Sequence, residues 1–264
     1  LTFGGRSART IDFVDYNNDG FQDVFVSEDI IRVDFADGRI STDHLDIGLF
    51  YNTGDGRLVD VASALPRLPS TSESLSLLGE DYPLDFVGDP GVVALGGAIF
   101  ADYDNDGDED CYLPVIPYNV LLRNDRGRFT NVPFEADPTA LVVDQAIWLD
   151  YDRDGHLDLY AANWSGTGNR LFRNTGTGPF ADGTAAAGLD SLVSPPIWVQ
   201  FGGSLGGLSG GDFNNDSWPD LYMGVFLGPN RLFLNDGRGG FLDATTGRDR
   251  RPRSGVWDGN RGHR

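Results

Sequence analysis

Five aspartates fall within the nine-residue stretch Asp102-Tyr-Asp-Asn-Asp-Gly-Asp-Glu-Asp110. The carboxylates of Asp102, Asp104, Asp106 and Asp110 crowd one short turn, and like charges so close repel unless a hard cation sits among them. Ca2+ takes roughly six to eight oxygens from carboxylates, amides and backbone carbonyls, and this stretch offers that donor set. Close copies are Asp15-Tyr-Asn-Asn-Asp-Gly-Phe-Gln-Asp23, Asp150-Tyr-Asp-Arg-Asp-Gly-His-Leu-Asp158 and Asp212-Phe-Asn-Asn-Asp-Ser-Trp-Pro-Asp220. A single such turn reads equally well as a solvated acidic loop. Four of them, each running into strand-forming residues, point to calcium, with up to four ions bound.

The position roles follow from the EF-hand loop, which takes ligands from positions 1, 3, 5 and 7 (the last through its backbone), turns at a Gly in position 6 and needs a bidentate Glu at position 12. Position 12 here is Val26, Leu113, Ala161 or Met223. None is acidic, and strand composition surrounds them rather than a helix. Each loop is therefore expected to join two strands of a hairpin, with the Asp at position 9 completing the site. The expected ligands are Asp15, Asn17, Asp19, Phe21 and Asp23; Asp102, Asp104, Asp106, Asp108 and Asp110; Asp150, Asp152, Asp154, His156 and Asp158; and Asp212, Asn214, Asp216, Trp218 and Asp220. In each set the position 7 residue serves through its carbonyl, so the His156 ring is expected to point to solvent. The fourth copy has Ser217 where the others have Gly. Ser resists a positive φ, so that site is expected to be strained or weak.

The elements that must hold these loops repeat with them. Before each loop lies a first strand, Thr10–Val14, Ala98–Ala101, Ala146–Leu149 or Leu208–Gly211, and after it a second, Val24–Val26, Cys111–Leu113, Leu159–Ala161 or Leu221–Met223. A third strand ends in Asn52, Asn124, Asn174 or Asn235, a Gly-rich turn follows, and a fourth strand begins at Leu58, Phe129, Phe180 or Phe241. Four strands per unit in tandem is the sequence form of a β-propeller blade. The expected fold is all-β, a propeller or propeller fragment of four four-stranded blades at about 9–65, 96–135, 144–189 and 206–246. Residues 247–264 read as an Arg-rich tail or the truncated start of a further blade.

These units resemble FG-GAP/VCBS repeats of the integrin-α type of propeller over about residues 10–246. The run Asn169-Arg-Leu-Phe-Arg-Asn-Thr-Gly to Thr-Ala-Ala-Ala-Gly-Leu189 is most similar to the ASPIC/UnbV, cartilage-acidic-protein-like group. The resemblance implies a secreted, calcium-stabilised propeller, of about seven blades in other members and often with a separate C-terminal domain. Neither the additional blades nor such a domain is visible here.

Composition narrows the partners. The net charge of −20 argues against nucleic acid and anionic membrane surfaces. Cys111 is the only cysteine, so no intrachain disulfide forms. No apolar run is long enough to span a membrane. The chain opens on Leu1 without a signal-peptide pattern and is expected to be a mature or partial form. Weak calcium sites work where calcium is millimolar, which places the protein outside the cell, at its surface or in the periplasm.

No Ser-His-Asp or zinc spacing is present. His44, beside Asp43 and Asp46, offers a general base or zinc ligand but reads more simply as an exposed loop residue; His263 sits in the tail. Cys111 aligns with inward strand positions and is expected to be a buried thiol. Phe25, Tyr112, Tyr160 and Tyr222 share one repeat position and are expected in the inter-blade core. Trp164, Trp198 and Trp218 fall near loops, as ligand contacts or rim anchors. Asp12, Asp60, Asp182 and Asp243 read as turn or ladder partners. The expected function is therefore non-enzymatic: a calcium-bound scaffold for an extracellular protein or glycan ligand. The alternative is a module, catalytic or not, of an extracellular carbohydrate-active enzyme. The insertions Ser27–Asp46, Pro66–Val93 and Asp190–Gly207 all join strands at the end away from the acidic loops, so the ligand is expected on that opposite face.

Overall fold

The structure, a computed structural model, describes residues 8–28, 32–34, 39–41, 47–66, 97–114, 119–132, 143–163, 168–190, 207–225 and 229–245. They form four four-stranded antiparallel sheets, each a meander in chain order. The first comprises β1 (Ala8–Val14), β2 (Asp23–Glu28), β5 (Ile47–Asn52) and β6 (Leu58–Asp60). The second comprises β7 (Ile99–Ala101), β8 (Asp110–Leu113), β9 (Val120–Asn124) and β10 (Phe129–Val132). The third comprises β11 (Val143–Leu149), β12 (Asp158–Asn163), β13 (Arg170–Arg173) and β14 (Ala181–Asp182). The fourth comprises β15 (Gly207–Gly211), β16 (Asp220–Gly224), β17 (Arg231–Asn235) and β18 (Phe241–Asp243). The first insertion contributes a two-stranded hairpin, β3 (Arg32–Asp34) and β4 (Arg39–Ser41), that composition did not reveal. No α-helix occurs among the described residues, and no helix is long and apolar enough to cross a membrane.

The sheets are blades of a propeller, stacked face to face in chain order. Alternation along each strand sends successive side chains to opposite faces, and in the second and third blades both faces are apolar because each packs on a neighbour. Phe25 and Leu49 of the first blade meet Cys111 and Leu122 of the second. Tyr112 and Leu121 of the second meet Leu159 and Phe172 of the third. Tyr160 and Leu171 of the third meet Leu221 and Phe233 of the fourth. Phe25, Tyr112 and Tyr160 are fully buried as expected, each contributing about 1.5–3 kcal/mol over an exposed ring. Tyr222 departs from the expectation: it occupies the same position in the fourth blade, meets no further blade among the described residues, and is exposed. Cys111 is buried, and desolvation pushes its thiol well above the ordinary range.

Two hydroxyls at this repeat position are capped by an Asn of their own blade, that of Tyr160 buried and that of Tyr222 exposed. Asn169 donates to Tyr160 Oη at 3.0 Å, and Asn230 to Tyr222 Oη at 2.8 Å. Three of the four repeat-specific aspartates close turns after the last strand: Asp60, Asp182 and Asp243 accept from the backbone N–H two residues on. Asp12 instead accepts from Thr10 Oγ1 at 3.2 Å, and burial raises its carboxyl.

Candidate metal centres

Each acidic loop joins the first two strands of its blade and is wound by similar hydrogen bonds. In loops one, two and four the Asp at position 1 accepts from the backbone of positions 5 and 6: Asp106 N and Gly107 N reach Asp102 at 3.0 Å each, and Asp216 N and Ser217 N reach Asp212 at 3.0 and 2.7 Å. In loop three Gly155 N reaches Asp150 at 3.1 Å, but Asp154 N turns to Asp152 at 3.3 Å. The Asp at position 5 accepts from the N–H of position 7, at 2.9–3.0 Å in all four loops. Position 6 must then take a left-handed backbone, with φ of 89°, 96°, 90° and 74° at Gly20, Gly107, Gly155 and Ser217. Ser217 thus adopts the strained conformation its sequence position implies.

The Asp at position 9 serves as a clamp. In loops two to four one oxygen accepts from the N–H of position 2, and in every loop the other accepts from the Asn that ends the third strand, at 2.7–2.8 Å. Asp23, Asp110, Asp158 and Asp220 are accordingly buried. Desolvation, the largest cause, raises all four, and it pushes Asp110 and Asp158 up to about 7.

The loops fall into two classes. In loop two, oxygens of Asp102, Asp104 and Asp106 lie within 4.8 Å of one another, and in loop three the same holds for Asp150, Asp152 and Asp158. Asp150 Oδ1 is buried and makes no hydrogen bond. Convergent carboxylate oxygens with a buried lone pair to spare fit a hard divalent cation, and Ca2+ would be held by these residues. In loops one and four an Asn replaces the position 3 carboxylate and braces the turn itself. Asn17 donates to Asp19 at 3.2 Å, Asn214 to Asp216 at 2.8 Å, and each Asn oxygen accepts from the position 5 N–H. Loop three has a second source of positive charge: the Arg173 guanidinium contacts Asp152 at 2.6 Å and Asp154 at 3.2 Å.

Position 7 differs from expectation. The His156 ring lies against Asn105 of the preceding blade, at 3.1 Å from Nδ1, and beneath Gly176, where a Cβ would come within 2.2 Å of Nε2. The adjacent turn crowds the ring and draws it inward from solvent. Phe21 and Trp218 underlie Gly54 and Gly237 in the same way. The Asp108 side chain is buried and spent on protein contacts, accepting from Asn18 at 2.6 Å and from Arg126 N at 2.9 Å. Trp218 is an inter-blade anchor, with the Arg153 guanidinium 4.7 Å above its ring. His44, Trp164, Trp198, His263 and almost all of the second and third insertions lie outside the described residues.

Sequence reasoning missed the residues that tie one blade to the next. The left-handed position 4 residue reaches the following loop: Asn18 donates to Gly107 O, Asn105 to Gly155 O and Arg153 to Ser217 O. The Asn ending each later third strand reaches back to the preceding loop: Asn124 to Tyr16 O, Asn174 to Tyr103 O and Asn235 to Tyr151 O, at 2.7–2.8 Å. The recurrence of Asn at both positions was the available signal. Between the first strands of three blades runs an open cleft of about 430 Å3, lined by residues including Asp12, Phe100 and Trp148.

Residues 150–223, one acidic loop through the next, match the FG-GAP-like repeat family. That segment is similar to an FG-GAP-like repeat. A similar solved structure is an Agrocybe aegerita lectin that specifically recognises non-reducing terminal N-acetylglucosamine, at 17% identity and a TM-score of 0.51. The match covers 91% of this chain but 53% of the lectin chain, so the protein spans about half of that structure. At this identity the likeness concerns the fold alone. No curated protein matches the chain.

Proposed function

We propose that the protein is a calcium-bound, non-enzymatic propeller scaffold that presents a glycan- or protein-binding surface outside the cell or in the periplasm. The observation that carries the calcium reading is the convergence of three carboxylates within 4.8 Å in each of loops two and three. Ca2+ there supplies positive charge; the chain's part is to orient the oxygens, through the backbone hydrogen bonds that fix positions 1, 5 and 9. Loops one and four complete the set of four with weaker sites, since Asn17 and Asn214 bring neutral amides.

Sugars are the first ligands to test, because the similar lectin recognises a terminal N-acetylglucosamine on a propeller-like frame. The enzymatic alternative has no catalytic constellation among the described residues to favour it. A glycan array probed with and without Ca2+, paired with a lyase and hydrolase screen, tests the reading. Calcium-dependent sugar binding without turnover supports it; turnover of a bound polysaccharide refutes it.

A further inference from the structure

Loops two and three carry carboxylates at the same positions, 1, 3, 5 and 9, yet their surroundings differ. The difference begins one residue before the Asn that ends the third strand. That residue is Arg123 in the second blade and Arg173 in the third. Arg173 lies across its own loop: Nε donates to Asp152 at 2.7 Å, and the guanidinium also contacts Asp154 at 3.2 Å. Arg123 is drawn the other way. Its guanidinium pairs with Asp125 at 3.0 Å and makes no ion pair with loop two among the described residues. Asp125 is the residue just after the terminal Asn, at the head of the Gly-rich turn. Its counterpart in the third blade is Thr175, which carries no charge and whose hydroxyl donates to Thr177 O at 3.1 Å. Without a carboxylate at the turn to hold it, the third-blade guanidinium rests on the acidic loop. The carboxylates register the change. The convergent oxygens of loop two come from positions 1, 3 and 5, and those of loop three from positions 1, 3 and 9. Asp154, the counterpart of Asp106, is held by Arg173, and its N–H turns to Asp152.

We infer that Arg173 is a tethered counter-ion that competes with Ca2+ for Asp152 and Asp154, and that the residue heading the next turn, Asp125 or Thr175, decides whether the guanidinium is parked off the loop or lies on it. The inference rests on the calcium reading of these loops. Ca2+ needs the oxygens that Arg173 holds and is repelled by a cation beside them, so filling loop three requires the guanidinium to swing out. The side chain is free to do so, being 42% exposed at the surface. Loop two asks for no such displacement. One donor set is thereby tuned to two thresholds: loop two fills first, and loop three fills at higher Ca2+ and releases Arg173 to solvent as it does. In the metal-free chain Arg173 has the opposite effect, since it neutralises carboxylates that would otherwise repel.

The test follows the amide resonances of Gly107 and Gly155, one in each loop, as the metal-stripped full chain is titrated with Ca2+. In the parent, Gly107 should reach its midpoint at lower Ca2+ than Gly155. Arg173→Gln should lower the Gly155 midpoint by roughly three- to tenfold and leave Gly107 in place. Thr175→Asp keeps the guanidinium but parks it, and should move Gly155 the same way. Asp125→Thr should raise the Gly107 midpoint, because Arg123 already lies close enough for its charge to act on Asp104. In EDTA, Arg173→Gln should melt below the parent, and saturating Ca2+ should erase that deficit. A Gly155 midpoint that either Arg173→Gln or Thr175→Asp leaves unchanged or raises overturns the inference. So does a parent in which Gly155 titrates first, or an Arg173→Gln melt equal to the parent's in EDTA. Amides that ignore Ca2+ in every variant refute the calcium reading and this inference with it, a result distinct from loops that titrate without regard to Arg173.

Discussion

Ser217→Gly should stabilise loop four, and Gly155→Ser should weaken loop three by a similar amount. A Cβ built on Gly20, Gly107 or Gly155 meets nothing within 4 Å, so neighbours exact no toll at this position and only the backbone cost remains. A left-handed backbone costs an L residue about 1–2 kcal/mol, while glycine loses about 0.5–1 kcal/mol of unfolded-chain freedom on folding. The difference, about 0.5–1 kcal/mol, favours Gly at φ 74°. If the strain is borne mainly by the metal-bound loop, the change appears as a roughly two- to fivefold lower Ca2+ Kd at loop four. If it is borne by the fold at large, the melting midpoint rises by about 1–4 °C. Calorimetric Ca2+ titration and thermal melts of both variants and the parent distinguish these outcomes. The reasoning fails if Ser217→Gly binds Ca2+ more weakly or melts lower, or if Gly155→Ser leaves both quantities unchanged.

Removing metal should lower the melting midpoint by many degrees, since each site at 100 times its Kd adds about 2.7 kcal/mol; equal midpoints in EDTA and millimolar Ca2+ would refute this. Asn124→Ala leaves two carbonyls, Tyr16 O and Glu109 O, and the Gly127 N–H without their partner, and should cost about 2–4 kcal/mol by chemical denaturation; a loss below 1 kcal/mol would show that the inter-blade link is dispensable. Gly176→Ala should destabilise the third blade through the clash with His156, and His156→Ala should rescue part of it in a double-mutant cycle; additive effects would deny the contact. In metal-free protein, Asp110 and Asp158 bind protons more tightly folded than unfolded, so stability is full near the ordinary carboxylate value of 3.8 and falls as pH rises toward about 7. Urea titrations in EDTA across that range should show the decline, and a rise instead would reverse the assignment.

The blade plan was legible because it is local. Alternating apolar residues, a Gly-rich turn and a terminal Asn recur in order, so all sixteen blade strands lie where the repeats place them. The winding of the acidic loops was legible for the same reason: Asp, Gly and spacing dictate one turn, and Ser217 follows the path of the three glycines at a cost. What spacing could not show is contact between repeats. Asn124 and Tyr16 are 108 positions apart, and nothing in either segment alone says that one reaches the other. His156 was misjudged because its surroundings come from two places at once, Asn105 of the blade before and Gly176 of the turn beside it. Asp108 was expected to offer only its carbonyl, and spacing carried no sign that its carboxylate accepts from Asn18 of the neighbouring blade. The difference between loops two and three and loops one and four was written in Asn17 and Asn214, but only the geometry shows those amides bracing the turns themselves.

Equilibrium titration of the metal-stripped chain with Ca2+ tests the central claim most directly. The account predicts saturable binding of up to four ions per chain, with the two tightest lost on replacing Asp102 and Asp150 by Ala while the blades remain folded. Absence of saturable Ca2+ binding, or tight binding that survives both replacements, would contradict it.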